Sequence, residues 1–253
     1  MRRALLLAVV LLAAGCGGGS QRETLASVVE RSYGSGAGQV WIFTPAGQEP
    51  RSVVIYLHGL GDATETTPEY HRPWLRHLAA KGNAVLYPRY EVRPGEPGGL
   101  QHAIDGIKRG MRHLEAKGRP IVSIGYSRGG GMAVQYMGIA RAVGVVPDAV
   151  LAVFPALLDP VLDLTVVPRT TRFVFLVGDK DVSVGYFGAN RLLDQLSAAG
   201  HPMELLTEEV VRSRDGFEAT HLSVLENTPG ARRAFWARAD RLIAGVVKRH
   251  DAA

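Results

Sequence analysis

From Gln39 onward, short β-branched and aromatic runs alternate with segments whose apolar positions recur at helical spacing. The runs fall at residues 40–43, 53–57, 84–87, 121–125, 149–154, 173–177 and 203–206. The middle runs are continuously apolar, as strands covered on both faces must be; a half-exposed strand would alternate. Between them, Leu75, Leu78 and Ala79 precede a stop at Gly82. Ile104, Ile107, Met111 and Leu114 share one helical stripe that ends before Gly118 and Pro120, and Leu192, Leu193, Leu196 and Ala199 form another closed by Gly200. A last helix opens at Thr228-Pro229, with threonine as cap and proline in the first helical position, and it carries Phe235, Ala239, Leu242 and Val246. This alternation predicts an α/β fold, a mostly parallel central sheet flanked by helices, in one domain over residues 39–253.

Composition narrows the class. A chain of 253 residues with 46% hydrophobic positions is long enough to bury one sizeable core. Its net charge of +5 includes no run of five basic residues, and Arg109, Arg112 and Lys117 fall on the solvated side of a helical stripe, so nucleic acid is not an expected partner. The N-terminus reads as a targeting segment, residues 1–15. Arg2 and Arg3 precede an apolar stretch, residues 4–14, too short to span a bilayer. That stretch ends at Leu12-Ala13-Ala14-Gly15-Cys16, which resembles the bacterial lipobox except at Ala13, where the pattern prefers leucine. The resemblance implies a lipid on Cys16 and an exported, membrane-anchored protein. The competing reading is an ordinary cleaved signal and a secreted chain. Cys16 is the only cysteine, so it has no disulfide partner within the chain. Gly17-Gly18-Gly19-Ser20 then suggests a flexible tether over residues 16–38.

The chemistry begins at Gly125-Tyr126-Ser127-Arg128-Gly129. This glycine-flanked serine follows a strand and opens a helix, the setting a nucleophile elbow requires: the serine occupies a strained tip, and side chains on either flank would collide with neighbouring elements. A phosphate loop would need a Lys-Ser or Lys-Thr pair, and none follows. Ser127 is therefore the expected nucleophile. A second signal is His58-Gly59-Leu60-Gly61-Asp62 at the end of the run 53–57.

The elbow, the His-Gly loop and the order of elements together resemble the α/β-hydrolase superfamily over residues 39–249, and the His-Gly-Leu-Gly-Asp string is similar to carboxylesterases of the acyl-protein-thioesterase type. The resemblance implies an oxyanion hole built from the amides of Leu60 and Arg128, with His58 stabilising its loop rather than acting as base. It also implies the chain order serine, acid, histidine. Gly178-Asp179-Lys180-Asp181, after the run 173–177, matches the acid loop, with Asp181 as the matching acid and Asp179 as its rival. His221 follows the last run and is the matching base; His201 precedes that run and His250 ends the terminal helix.

The implied reaction is ester hydrolysis through an acyl-enzyme on a Ser127–His221–Asp181 triad, by a monomer that needs no cofactor. No His-Glu-x-x-His string or cysteine cluster suggests a metal. An acyltransferase, a lyase and a non-catalytic binder on the same fold are the alternatives. Only 17 residues, 155–171, follow the run 149–154, too few for a large cap domain. Leu157, Leu158, Val161, Leu162 and Leu164 there form either an apolar rim on an open cleft or packing beneath the sheet edge, and Tyr186 and Phe187 are equally ambiguous.

Overall fold

A computed structural model describes residues 27–60, 66–93, 95–114, 116–157 and 162–253. Eight strands form one sheet: β1 (Val28–Tyr33), β2 (Val40–Pro45), β3 (Ser52–Leu57), β4 (Asn83–Pro88), β5 (Ile121–Tyr126), β6 (Ala149–Val153), β7 (Arg172–Gly178) and β8 (Leu206–Val211), in the spatial order β1-β2-β4-β3-β5-β6-β7-β8. From β4 across to β8 all neighbours are parallel, while β2 pairs antiparallel with both β1 and β4. This is the α/β class expected from the pattern.

Alternation along the central strands supplies two cores. Val54 and Tyr56 of β3, Val122 and Ile124 of β5 and Leu151 of β6 point to one face. There they meet helices α1 (Arg72–Ala80) and α7 (Ala237–Asp251) through Trp74, Leu78, Ala239 and Leu242. Val53, Ile55, Val150 and Phe175 point to the other face. They are covered by α2 (Gly99–Arg112), α3 (Arg128–Met137) and α5 (Phe187–Ala198); a one-turn helix, α4 (Ala140–Val143), follows α3. Thr228 caps the last helical run, its Oγ1 accepting the Ala231 N–H at 3.2 Å. That run is α6 (Pro229–Ala231), then a π-helical turn, Arg232–Trp236, then α7.

Two expectations are corrected, both at sheet edges. The tether expected to reach residue 38 ends earlier, because Val28–Tyr33 pairs with β2 from Val28↔Pro45 to Tyr33↔Val40. Its Glu30 carboxylate also takes a 3.1 Å ion pair from Arg72. The last strand, expected at 203–206, is displaced: Met203–Leu205 is a single 3₁₀ turn and β8 begins at Leu206. Both edge strands have only one hydrogen-bonded neighbour and leave side chains exposed, so they hold polar residues that hide them from an apolar-run rule. Cys16 and the signal-like segment lie outside the described residues, as do Gly61, Asp62, Leu158 and Val161.

Candidate active site

Ser127 sits between β5 and α3 at φ 54°, ψ −122°, a left-handed backbone that a serine adopts only when its surroundings impose it. The surroundings do so with backbone. The Ser127 N–H donates to the Val153 carbonyl at 2.9 Å and the Ser127 carbonyl accepts the Ala156 N–H at 2.9 Å. A Cβ on Gly125 would run into the Gly129 carbonyl, and one on Gly129 into the carbonyls of Leu57 and His58. Glycine at both positions is therefore what lets the strand, the helix and the end of β3 converge on the serine. The N-terminus of α3, with its partial positive charge, starts at the next residue.

His221 comes from the far side of the sheet. It opens a 3₁₀ turn, His221–Leu225, after β8. Its Nδ1–H donates to Asp181 Oδ2 at 2.8 Å, which leaves Nε2 to accept the Ser127 hydroxyl at 2.8 Å. Its own carbonyl accepts the Tyr126 hydroxyl at 3.0 Å, and its ring packs against Tyr126 and Phe154. Asp181 follows β7 and is buried. Its second oxygen, Oδ1, accepts the amides of Ser183 at 2.9 Å and Val184 at 3.2 Å. Burial alone would push the Asp181 pKa up, but the hydrogen bonds from His221, Val184 and Ser183 together outweigh it and hold the carboxyl below its ordinary value.

Asp179, the rival acid, faces elsewhere. Its carboxylate accepts the Ser213 N–H at 2.9 Å and the Ser213 hydroxyl at 2.6 Å, and Ser213 Oγ in turn accepts the Ala219 N–H at 2.9 Å. Asp179 thus fastens the loop that delivers His221 and makes no contact with the imidazole. His201 Nε2 is occupied by the Thr171 carbonyl at 2.7 Å, and His250 is exposed at the end of α7.

His58 is wholly buried. Its Nδ1–H donates to the Gly59 carbonyl at 2.7 Å, its ring stacks on Tyr90 with centroids 3.8 Å apart, and the Tyr90 hydroxyl donates to its carbonyl. Burial pushes its pKa down to about 3, so it stays neutral and braces the loop carrying Leu60. Leu60 is 41% exposed and lies two residues past His58, whose carbonyl the elbow approaches at Gly129. Arg128 places its amide at the first turn of α3, directly after Ser127. Its side chain is paired with the buried carboxylate of Glu91 and lies over the Tyr90 ring.

Sequence reasoning missed Glu91, Tyr90, Ser213 and the Tyr126 hydroxyl contact. Tyr126 belongs to the elbow string and was available to it; the other three meet their partners only across long stretches of chain. Of the residues offered as a cleft rim, Leu164 is core, Leu157 and Leu162 are half-buried, and Tyr186 and Phe187 are exposed. Among the described residues no group of three or more His, Cys, Asp or Glu is placed to hold a metal ion, and no helix is long and apolar enough to cross a membrane.

This sheet, with its elbow after β5, is the α/β-hydrolase fold, and solved structures of that fold superpose on it. Esterase B from Lactobacillus rhamnosis aligns with a TM-score of 0.67 and 17% identity over 90% of this chain and 89% of that one. MGS-M1, an α/β-hydrolase enzyme from a Medee basin deep-sea metagenome library, gives 0.65 and 18% over 88% of this chain and 99% of that one. Brefeldin A esterase, a bacterial homologue of human hormone sensitive lipase, gives 0.65 and 16% over 98% and 81%. No protein-family model and no curated protein sequence matches the chain.

Proposed function

We propose that this chain is a serine hydrolase that cleaves carboxylic esters through an acyl-enzyme. The observation that carries the reading is the unbroken line from Asp181 through His221 to Ser127, 2.8 Å at each step, on a strained elbow. As Ser127 Oγ bonds to the ester carbonyl carbon, His221 Nε2 takes its proton. The amides of Leu60 and Arg128 receive the oxyanion, with the positive end of α3 behind them. The intermediate then expels the alcohol, which leaves with the proton from His221; water repeats the sequence and frees the acid. Asp181 remains ionised throughout, fixing the tautomer and stabilising the imidazolium. No cofactor or metal enters these steps. Solved neighbours that are themselves esterases support an ester as the bond cleaved. Export and a lipid on Cys16 complete the proposal, supported by the N-terminal pattern.

Labelling with a fluorophosphonate, followed by a p-nitrophenyl ester series, tests it. Ser127 is the labelled residue, Ser127→Ala abolishes both signals, and kcat/KM levels off early with acyl length. The early plateau follows from the short 155–171 segment, because a methylene adds about 0.8 kcal/mol only where it is buried. Strong labelling without turnover on any ester would indicate an acyltransferase with a selective acceptor, and no labelling would sink the reading.

A further inference from the structure

The loop that delivers His221 lines a cleft that no step of the proposed reaction uses. The cleft, about 200 Å³, lies at the end of β8 and is lined by four arginines: Arg212 and Arg214 from the loop, Arg233 and Arg238 from the helical run that follows. Its apolar lining, Val211, Phe217 and Ala234, is buried. Gly230 lets the Phe217 side chain pack directly on the helical run, since a Cβ there would come within 2.6 Å of it. Arg212, Arg214 and Arg233 are exposed, and among the described residues none of the three is in an ion pair. The acids around them are engaged elsewhere. Asp179, which feels the Arg212 charge, accepts from Ser213; Glu218 pairs with Lys180 at 2.5 Å; Glu209 takes Arg238 Nε at 2.7 Å. Asp215 is exposed at the loop tip. Arg232, the next residue along, is drawn away over the Trp236 ring, 4.7 Å from its centroid.

We infer that this cleft binds a small multivalent oxyanion of the phosphate class, and that the bound anion fastens the loop carrying His221. The site goes beyond the ester-hydrolase reading and does not depend on it. Guanidinium groups are planar, permanently charged and forked to match phosphate oxygens, so an arginine cluster suits this ligand. Like charges gathered around a small cleft with an apolar lining repel one another and raise the local potential, and a multivalent anion relieves both. Loop geometry supplies the coupling. Arg214 and Phe217 exchange backbone hydrogen bonds at 2.9 Å across the tip, so an anion held by Arg214 and Arg233 ties that tip to the helical run. Ser213 already ties the same loop to Asp179, and His221 follows four residues after Phe217. A second cleft, about 290 Å³, continues from Arg238 past Arg172, Arg241 and Arg249. Glu209 lies on its wall and pairs with Arg238, which puts negative charge where the two clefts join. That placement favours a compact anion in the first cleft over an extended polyanion across both.

Calorimetric titration of the full-length protein with sodium pyrophosphate, at an ionic strength held constant with NaCl, tests the site. Hydrogen exchange over residues 212–220 and the rate of fluorophosphonate labelling at Ser127 test the coupling. Pyrophosphate binds saturably, the loop exchanges severalfold more slowly, and labelling speeds up. Arg214→Gln and Arg233→Gln each weaken binding about tenfold or more, the loss that goes with one charged hydrogen bond. Both side chains are exposed and carry no ion pair, so the variants keep their fold. Arg112→Gln, exposed at the end of α2 on the other face of the sheet, leaves all three readouts unchanged and excludes a general effect of charge. Absence of saturable binding, or binding that survives both substitutions, overturns the site. Binding that leaves either the exchange or the labelling unchanged overturns the coupling. If pyrophosphate does not bind but phosphatidylglycerol vesicles do, through Arg214 and Arg233, the cleft is a membrane face and the small-anion site is overturned. Bound pyrophosphate, a slowed loop and faster labelling in a protein that hydrolyses no ester keep the inference and remove the ester-hydrolase reading, so the two failures are told apart.

Discussion

Around Ser127 the backbone is gripped by other backbone, from β3, β6 and the residues after β6, whereas the loop 212–220 that delivers His221 is held largely by side chains and meets backbone closely only where Ala219 passes Gly178. The elbow has no room for even a methyl group at Gly125 or Gly129. The tip of the loop has room to spare: there Asp215-Gly216 forms a two-residue turn between Arg214 and Phe217, and a Cβ on Gly216 would meet nothing within 4 Å. Below the tip, side chains carry the loop: Phe217 is buried against Phe235, and hydrogen bonds run between Asp179 and Ser213, Ser213 and Ala219, and Tyr126 and the His221 carbonyl. One half of the site is positioned by backbone exclusion on both flanks of the serine and the other mainly by side chains around an open tip, so the two halves should fail differently.

A matched pair of substitutions probes the contrast most strongly. Gly129→Ala forces backbone apart and should abolish labelling of Ser127, with loss of the native near-UV spectrum. Gly216→Ala adds only the strain of a positive φ, about 1 kcal/mol, and should retain labelling. Equal damage from the two would erase the distinction. Next in size is Asp181→Asn, which leaves the fold intact and lowers kcat on the order of 10⁴ by disordering the tautomer; steady-state kinetics with an unchanged melting curve is the check.

The tightly packed half carries a cost in acid. His58 and His71 lie buried beside β3, each with its pKa pushed by burial from 6.5 down to about 3. Between those values the unfolded chain holds a proton on each ring that the folded chain does not. Stability is therefore full above pH 6.5 and falls as pH drops towards 3, by up to about 1.4 kcal/mol per pH unit for each ring. Urea midpoints between pH 7 and 5 should show this fall, and it should be roughly halved in His71→Phe. The smallest effect belongs to the latch. Ser213→Ala should lower kcat about tenfold with KM held, since two modest hydrogen bonds are lost. Asp179→Asn should do less, because its amide oxygen still accepts the Ser213 N–H. A Ser213→Ala loss as large as that of Asp181→Asn would mean that the loop, and not the imidazole's acid, sets the geometry.

The same contrast explains what could be read from the chain. The elbow was legible because its constraint is local: two glycines around a serine, after an apolar run and before a helix, state the strain directly. The α/β class was legible because strands buried on both faces must be apolar throughout. Choosing Asp181 over Asp179 needed a family pattern, because both are acids in one short loop, and only the fold reveals that one faces His221 and the other Ser213. Glu91 carried no signal, since its partner Arg128 lies on a different layer of the molecule. Strands β1 and β8 were obscured by the polar residues that an edge requires.

Strand β1 has a geometric consequence for how substrate would approach. It is antiparallel to β2, which is antiparallel to β4, so β1 runs in the same direction as the parallel strands and Val28 sits at the end of the sheet opposite Ser127. A lipid on Cys16, as proposed, would reach Val28 through residues 17–27, a leash of at most roughly 40 Å. Part of that reach, about 20 Å, would be used in passing along a six-residue strand before the leash drew level with the nucleophile. Anchored this way, the protein would keep about half of its leash beyond the length of β1, enough to turn either end of the sheet toward the membrane, so the anchor would hold Ser127 near the bilayer without fixing the direction it faces.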